Sequence, residues 1–464
     1  GYTHPFSAHL LLQFSASKPQ TQQFFAAIYP HIRNAEDWGT KKPAQLLNIG
    51  LTYPGLQCLD CLPAEALQNF PSEFIAGPAS SGSQSSLNDV GTSDPANWWG
   101  PQAPGLAQGN IHAVLHAYGL LPADLEALLQ KVTLAAQASA TTVLWRVDQY
   151  QLPDDRIHFD YRDGISNPDL NLSDGSPGTP ADLGNFLIGY AANSYSEPGP
   201  TGSDPASVFA KNGCYNAFRM LYQDVAQFNE LLVREAPHFD ATTTTNTDPS
   251  LGQEWVAAKL VGRWRNGSPL MLSPYFPEKR TENGEDFGYL SPTNPLDDTT
   301  SALRCPFAAH TRVTNPRDEL LVNSETPPPP RILRRGQPYG PSLPSNATTD
   351  DGVDRGLIGL FLCGSLARQF EKIYGWMNAV DFSQSFDPGA YPTPQDALMG
   401  NRDTSADFTV PLPAPAAPFL MKNLPPLIVT RGTAYCLLPS LSSLRQLAGL
   451  PATAPKAAPK ATKK

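Results

Sequence analysis

The residues that could do chemistry in this 464-residue chain are scattered. Eight histidines occur, at His4, His9, His31, His112, His116, His158, His238 and His310. None lies in a His-Glu-x-x-His helix or a Cys/His cluster, so zinc hydrolysis has no support. No Gly-x-Ser-x-Gly elbow, phosphate-binding loop or Gly-x-Gly-x-x-Gly turn is present. Cys58 and Cys61 form a lone Cys-x-x-Cys, with no second pair to complete a zinc site. They read as a semi-buried thiol pair before a redox couple. Four blocks are denser in charge and aromatics. They are Phe159-Asp-Tyr-Arg-Asp163-Gly164-Ile-Ser-Asn167-Pro, Val261-Gly-Arg-Trp-Arg-Asn-Gly-Ser-Pro-Leu270, Arg304-Cys-Pro-Phe-Ala-Ala-His310-Thr-Arg312 and Arg331-Ile-Leu-Arg334-Arg335-Gly-Gln-Pro-Tyr339-Gly. Taken singly, Asp163 is an Asp-Gly turn residue and His310 a structural histidine.

The elements that must position these blocks alternate. His9–Phe14, Leu46–Thr52, Asn110–Tyr118 and Thr141–Val147 have strand length and apolar character. Thr21–Ile32 reads as a helix, and so does the stretch after Pro122, where Leu125, Leu128, Leu129 and Val132 recur at helical spacing. The grammar returns later. Phe218–Tyr222 and Leu357–Leu362 read as strands. Asp224–Glu235 and the stripe Leu366, Phe370, Ile373, Met377 read as helices. Two units of similar pattern on either side of about residue 185 imply an α+β protein. Polar, proline-rich stretches at 166–182, 240–249, 283–301 and 327–330 read as loops. The Ala/Pro/Lys/Thr tail after Pro451 has nothing to bury and reads as disordered.

Taken in order, the four blocks resemble the dye-decolorizing peroxidases, a haem family, over roughly residues 145 to 400. The segment from Asn69 to Trp99 is similar to that family too. The resemblance implies two ferredoxin-like domains with antiparallel sheets, peripheral helices and long loops. Their bounds would be 1–185, carrying the distal Asp motif, and 186–450, holding haem, with the tail at 451–464. It implies one haem b per chain, with His310 as axial ligand of the iron and Asp396 of Thr393-Pro-Gln-Asp396-Ala-Leu as acceptor for the other imidazole nitrogen. Ala397 replaces the family's usual proline. Asp163 matches the catalytic aspartate of the family's Gly-x-x-Asp-Gly motif, although Asp160 stands where its first glycine is usual. Arg334 matches the distal arginine, with Arg335 adjacent. Arg312 resembles a haem-propionate partner, and Ser166 and Asn167 would line the same pocket edge. Tyr339 and Trp376 are the candidates for surface electron transfer.

The implied activity is a peroxidase that uses hydrogen peroxide to oxidise dyes and phenols in one-electron steps. The alternatives are a haem-binding or carrier protein, or another haem chemistry on the same fold, such as chlorite dismutation or iron release. Composition agrees with a small-molecule enzyme. The net charge of −10 argues against nucleic acid and anionic membrane surfaces as partners. No apolar run of about 18 residues spans a membrane. With 48 Pro and 35 Gly the chain stays under the level of disordered sequences. Monomer and homodimer both fit. The low charge leans toward an extracellular protein, with a cytoplasmic one left open, and no signal peptide can be read at the start.

Overall fold

The computed structural model describes residues 4–34, 38–100, 103, 106–167, 183–190, 192, 199–239, 251–278, 286–290, 303–318, 330–379, 396–400, 406–412 and 417–451. The loops expected at 168–182, 240–249 and 291–301, most of the proline run and the tail past Pro451 lie outside the described residues.

Four strands come from the first third: β1 (Phe6–Gln13), β2 (Gln45–Leu51), β3 (Ala113–Gly119) and β4 (Thr142–Tyr150). They lie antiparallel in the order β2-β3-β1-β4. The helix Lys18–Ile28 follows β1, and the helix Pro122–Ala138 joins β3 to β4. Pro122 opens the latter, where its missing N–H costs nothing, and Leu125, Leu128, Leu129 and Val132 bury its expected stripe.

The same strand–helix–strand–strand–helix–strand grammar recurs. β5 (Cys214–Gln223) leads into the helix Val225–Glu235, capped by the Asp224 side chain. Two short strands follow, β6 (Leu333–Arg334) and β7 (Gln337–Tyr339), both pairing with β8 (Gly356–Cys363). After β8 a π-helical stretch, Leu366–Glu371, runs into the helix Lys372–Ala379. A separate hairpin, β9 (Ala406–Val410) with β10 (Phe419–Leu424), precedes β11 (Ile428–Leu438). β11 pairs with β5, and β5 with β8, so the second set runs β11-β5-β8-β7. In each set the first and third strands are central, as in ferredoxin-like folds.

The two sets are hydrogen-bonded edge to edge. Leu437 of β11 meets Leu51 of β2, and Tyr339 of β7 meets Gln149 of β4. The pairings thereby close into a ring, so these edges are not left open to aggregation. One core cluster joins both sets through Trp99, Trp145, Phe218, Met220 and Tyr339. Beside it sits a buried polar chain. His9 Nε2–H donates to Gln149 Oε1, which leaves His9 Nδ1 to accept from His116 Nδ1 at 2.8 Å. Gln149 donates in turn to the Gln337 carbonyl, across the seam between the sets. Burial holds the His9 imidazole neutral, its pKa pushed down to about 3, and lowers His116 well below the usual value.

Candidate functional site

The blocks singled out above converge on one cavity, of about 1580 Å³ with its open mouth included. Ile157, Leu221, Val261, Phe361, Ile373 and Met377 make much of the wall apolar, while His310, Asp163, Ser166 and Arg334 supply polar groups.

His310 opens the short helix His310–Thr314. Its Nδ1 donates to Asp396 Oδ2 at 2.6 Å. Asp396 is fully buried, and its other oxygen accepts from the backbone N–H groups of Leu398 (2.9 Å) and Met399 (3.0 Å). One carboxylate thus caps a turn and orients an imidazole. The turn forms with Ala397 in place of the family's proline. Among the described residues His310 Nε2 has no partner, so that nitrogen is available to the cavity.

Asp163 and Arg334 form a looser pair on the same cavity. Arg334 Nη1 lies 3.4 Å from Asp163 Oδ1, and both side chains are about a third exposed, at 39% and 35%. The arginine is held from its own backbone outward. Its N–H donates to Asn167 Oδ1 at 3.2 Å, and Nη2 donates to the Ser166 carbonyl at 3.2 Å. Arg335 instead turns back onto the Arg334 carbonyl at 2.9 Å and does not line the cavity. Asp160 has a left-handed backbone, φ 68°. This position favours glycine, and aspartate is one of the few other residues that tolerate it. Its carboxylate pairs with Arg156 at 3.1 Å and Arg265 at 4.0 Å and does not line the cavity.

One expectation needs correction. Tyr339 is not at the surface. It is only 4% exposed, packed in the core shared by the two strand sets, and its hydroxyl donates to Asp354 at 3.3 Å. The motif fixed the residue type, but the β4–β7 seam covers it. Arg312 does not line the cavity either. Its guanidinium lies 4.3 Å from the Phe307 ring centre and 4.7 Å from that of Tyr289, and donates to the Cys305 carbonyl at 2.5 Å. A planar cation stacks well on rings, and here it backs the cavity wall at Tyr289. Trp376 is half-buried, with Lys372 Nζ 5.7 Å from its ring centre. Cys58 and Cys61 are unpaired thiols, and burial pushes Cys61 up to about 11, which suits the inert reading.

Several wall residues had been assigned no role. Arg263, Trp264, Arg317 and Arg331 belong to the quoted blocks or follow them closely, and Tyr289 and Tyr374 do not. Tyr374 is backed by Arg219, whose guanidinium is 4.5 Å from its ring centre and forms a fully buried ion pair with Asp89 at 2.5 Å. Asp89 lies in the Asn69–Trp99 segment, whose only signal was the resemblance.

No protein-family model matches the chain. Curated relatives do. Peroxidase 2 of Mycetinis scorodonius is 28% identical over 450 residues, covering 90% of this chain and 80% of that protein. Dye-decolorizing peroxidase msp1 of the same organism is 28% identical over 431 residues, covering 87% and 76%. The multifunctional dye peroxidase DyP2 of an Amycolatopsis species is 29% identical over 310 residues, 62% of this chain and 60% of that one. In fold, a fungal DyP-type peroxidase from Auricularia auricula-judae superposes with a TM-score of 0.76 at 23% identity, over 97% of this chain and 96% of that one. An ancestral D-type dye-decolorizing peroxidase gives 0.77 at 24% identity over 96% of each. Sequence likeness along most of the chain, and a shared fold along nearly all of it, make the chain similar to the dye-decolorizing peroxidases.

Proposed function

We propose that the protein is a haem peroxidase, reducing hydrogen peroxide and oxidising dyes and phenols by one-electron steps. The observation that carries this reading is His310. One imidazole nitrogen is locked onto a buried carboxylate, and the other is free in a cavity shared with an aspartate–arginine pair. The donor set suits haem b, one per chain. A neutral imidazole whose far nitrogen donates to a carboxylate is a strong, oriented iron ligand. The large, mainly apolar cavity suits a porphyrin face. Bound haem would supply the redox chemistry, taking two electrons' worth of oxidation from peroxide and returning it in single steps.

The protein's part is proton handling and charge. Asp163 takes a proton from the attacking peroxide oxygen and delivers it to the leaving one. Its partial exposure gives it contact with water, with which it exchanges that proton. Arg334, always charged, stabilises the negative charge that develops as the O–O bond breaks, and Ser166 and Asn167 hold it in place. Arg312 acts on the cofactor indirectly, through the wall it supports. Trp376 is the accessible aromatic of the two proposed for bulky donors. Tyr339 would serve only as a buried relay. The division into domains at residues 185/186 is part of the same reading, as is a site held largely by the second domain.

Loading with haem and mixing with peroxide and a dye tests it. Decolorisation that needs both haem and peroxide is expected. Dye turnover equal with and without haem, or none with it, would overturn the reading.

A further inference from the structure

The segment that carries His310 is tied to one helix on both sides. Helix Leu251–Val261 is buried along nearly its whole length. Downstream of His310, Thr311 Oγ1 donates to the carbonyl of Val261 at 2.7 Å. Upstream, Lys259 Nζ donates to the carbonyls of Leu303 at 2.9 Å and Arg304 at 2.6 Å. The next carbonyl, that of Cys305, accepts from the buried Arg312. Three successive carbonyls therefore face two buried cations. Between them and the imidazole only Pro306 and a turn intervene, closed by Ala309 N–H to Pro306 O at 3.1 Å. At the helix end Gly262 has φ 90°, and a Cβ there would collide with Thr311 Oγ1 and crowd Cys305 Sγ. The fit between helix and segment is close at every point.

Lys259 is the unusual member. It is 3% exposed, and among the described residues no carboxylate pairs with it. Nζ also lies 5.6 Å from the Trp255 ring centre. An ammonium buried without an anion is costly, and methionine or leucine would fill the volume without that cost. A helix that needed only packing would not keep it. What the charge does here is bind two adjacent carbonyl oxygens of the segment that leads to His310.

We infer that Lys259 is a positioning residue for His310: its ammonium clamps the Leu303 and Arg304 carbonyls, and the direction of the imidazole depends on that clamp. The inference rests on the reading of His310 as iron ligand. The clamp itself is a property of the protein without cofactor.

Two measurements test it. The first is amide hydrogen exchange of the haem-free protein across residues 303–311, in the wild type and in Lys259→Met and Lys259→Arg. Exchange at least tenfold faster in Lys259→Met is expected, with β3 unchanged and protection restored by arginine. The second is the iron–imidazole stretching band of the haem-loaded ferrous protein by resonance Raman. It is expected to shift or broaden in Lys259→Met and to return in Lys259→Arg. A merely structural role would lower Tm and leave that band in place. Should Lys259→Met not fold, Lys259→Gln, which keeps N–H donors without the charge, is expected to show the same acceleration and shift. A neutral variant with wild-type exchange at 303–311 and a wild-type band would overturn the inference. If the wild type bound no haem, the assignment of His310 would fall, while the exchange experiment would still decide whether the clamp exists.

Discussion

The two carboxylates of the site are held in opposite ways. Asp396 is fully buried and accepts three hydrogen bonds, one from His310 at 2.6 Å and two from backbone N–H groups. Asp163 is about a third exposed and, among the described residues, has a single side-chain partner, Arg334, at 3.4 Å. The first arrangement fixes a direction and leaves the group no room to move a proton elsewhere. The second leaves lone pairs and water access, which a proton shuttle needs. One residue type serves two purposes because its surroundings differ, and substitutions at the two positions should fail differently.

The largest effect is expected at Asp163. Asp163→Asn should retain haem yet slow reaction with peroxide by roughly 10²–10⁴-fold, the usual worth of a positioned acid/base. Stopped-flow absorbance checks this, and a rate equal to wild type would remove Asp163 from the role. Next comes Arg334. Arg334→Leu should cost about 10²–10³ in the same step. Arg334→Lys should recover only part, because lysine keeps the charge but not the fork that reaches Asp163 and the Ser166 carbonyl. Asp396→Asn should behave in the opposite sense, weakening haem retention about 10–100-fold and altering the spectrum before peroxide is added. If Asp396→Asn instead left haem affinity intact and slowed only the peroxide step, the contrast between the two carboxylates would collapse.

The smallest effect lies away from the cavity. His9 and His116 are neutral in the folded protein, with pKa values lowered by burial, that of His9 to about 3. An unfolded histidine protonates near its ordinary 6.5. As pH falls from about 6.5 toward 3 the unfolded chain gains protons that the folded one refuses, so stability drops across that window and is fully present above it. Denaturant unfolding between pH 7 and pH 4 should show a shallower fall in His9→Gln than in the wild type. Parallel curves would mean that other groups control acid unfolding.

How much of this was written in the sequence depends on range. The strands of the first set and the helices with a single apolar stripe were legible, because alternation and stripe are local. Phe6–Gln13 against the expected His9–Phe14 is an error of a few residues at one end. β6 and β7 are two and three residues long and contain or adjoin Gly336 and Pro338, so no periodicity could mark them. β11 carries a register shift near Gly432 and acquires its place by long-range pairing with β5 and β2. Helix Leu251–Val261 is apolar nearly all round and shows no stripe. In the site, Asp163, Arg334 and His310 stood out through ordered motifs. Depth did not: nothing local distinguishes a surface Tyr339 from the buried one. Lys259 resembled any helix lysine until the fold placed two carbonyls over it.

The most direct test of the central claim is a haem titration of the purified protein followed at the Soret band, wild type beside His310→Ala. The account predicts tight, one-to-one binding by the wild type, with a histidine-ligated spectrum, and loss of that spectrum in His310→Ala. Identical Soret bands and affinities for the two proteins would contradict it.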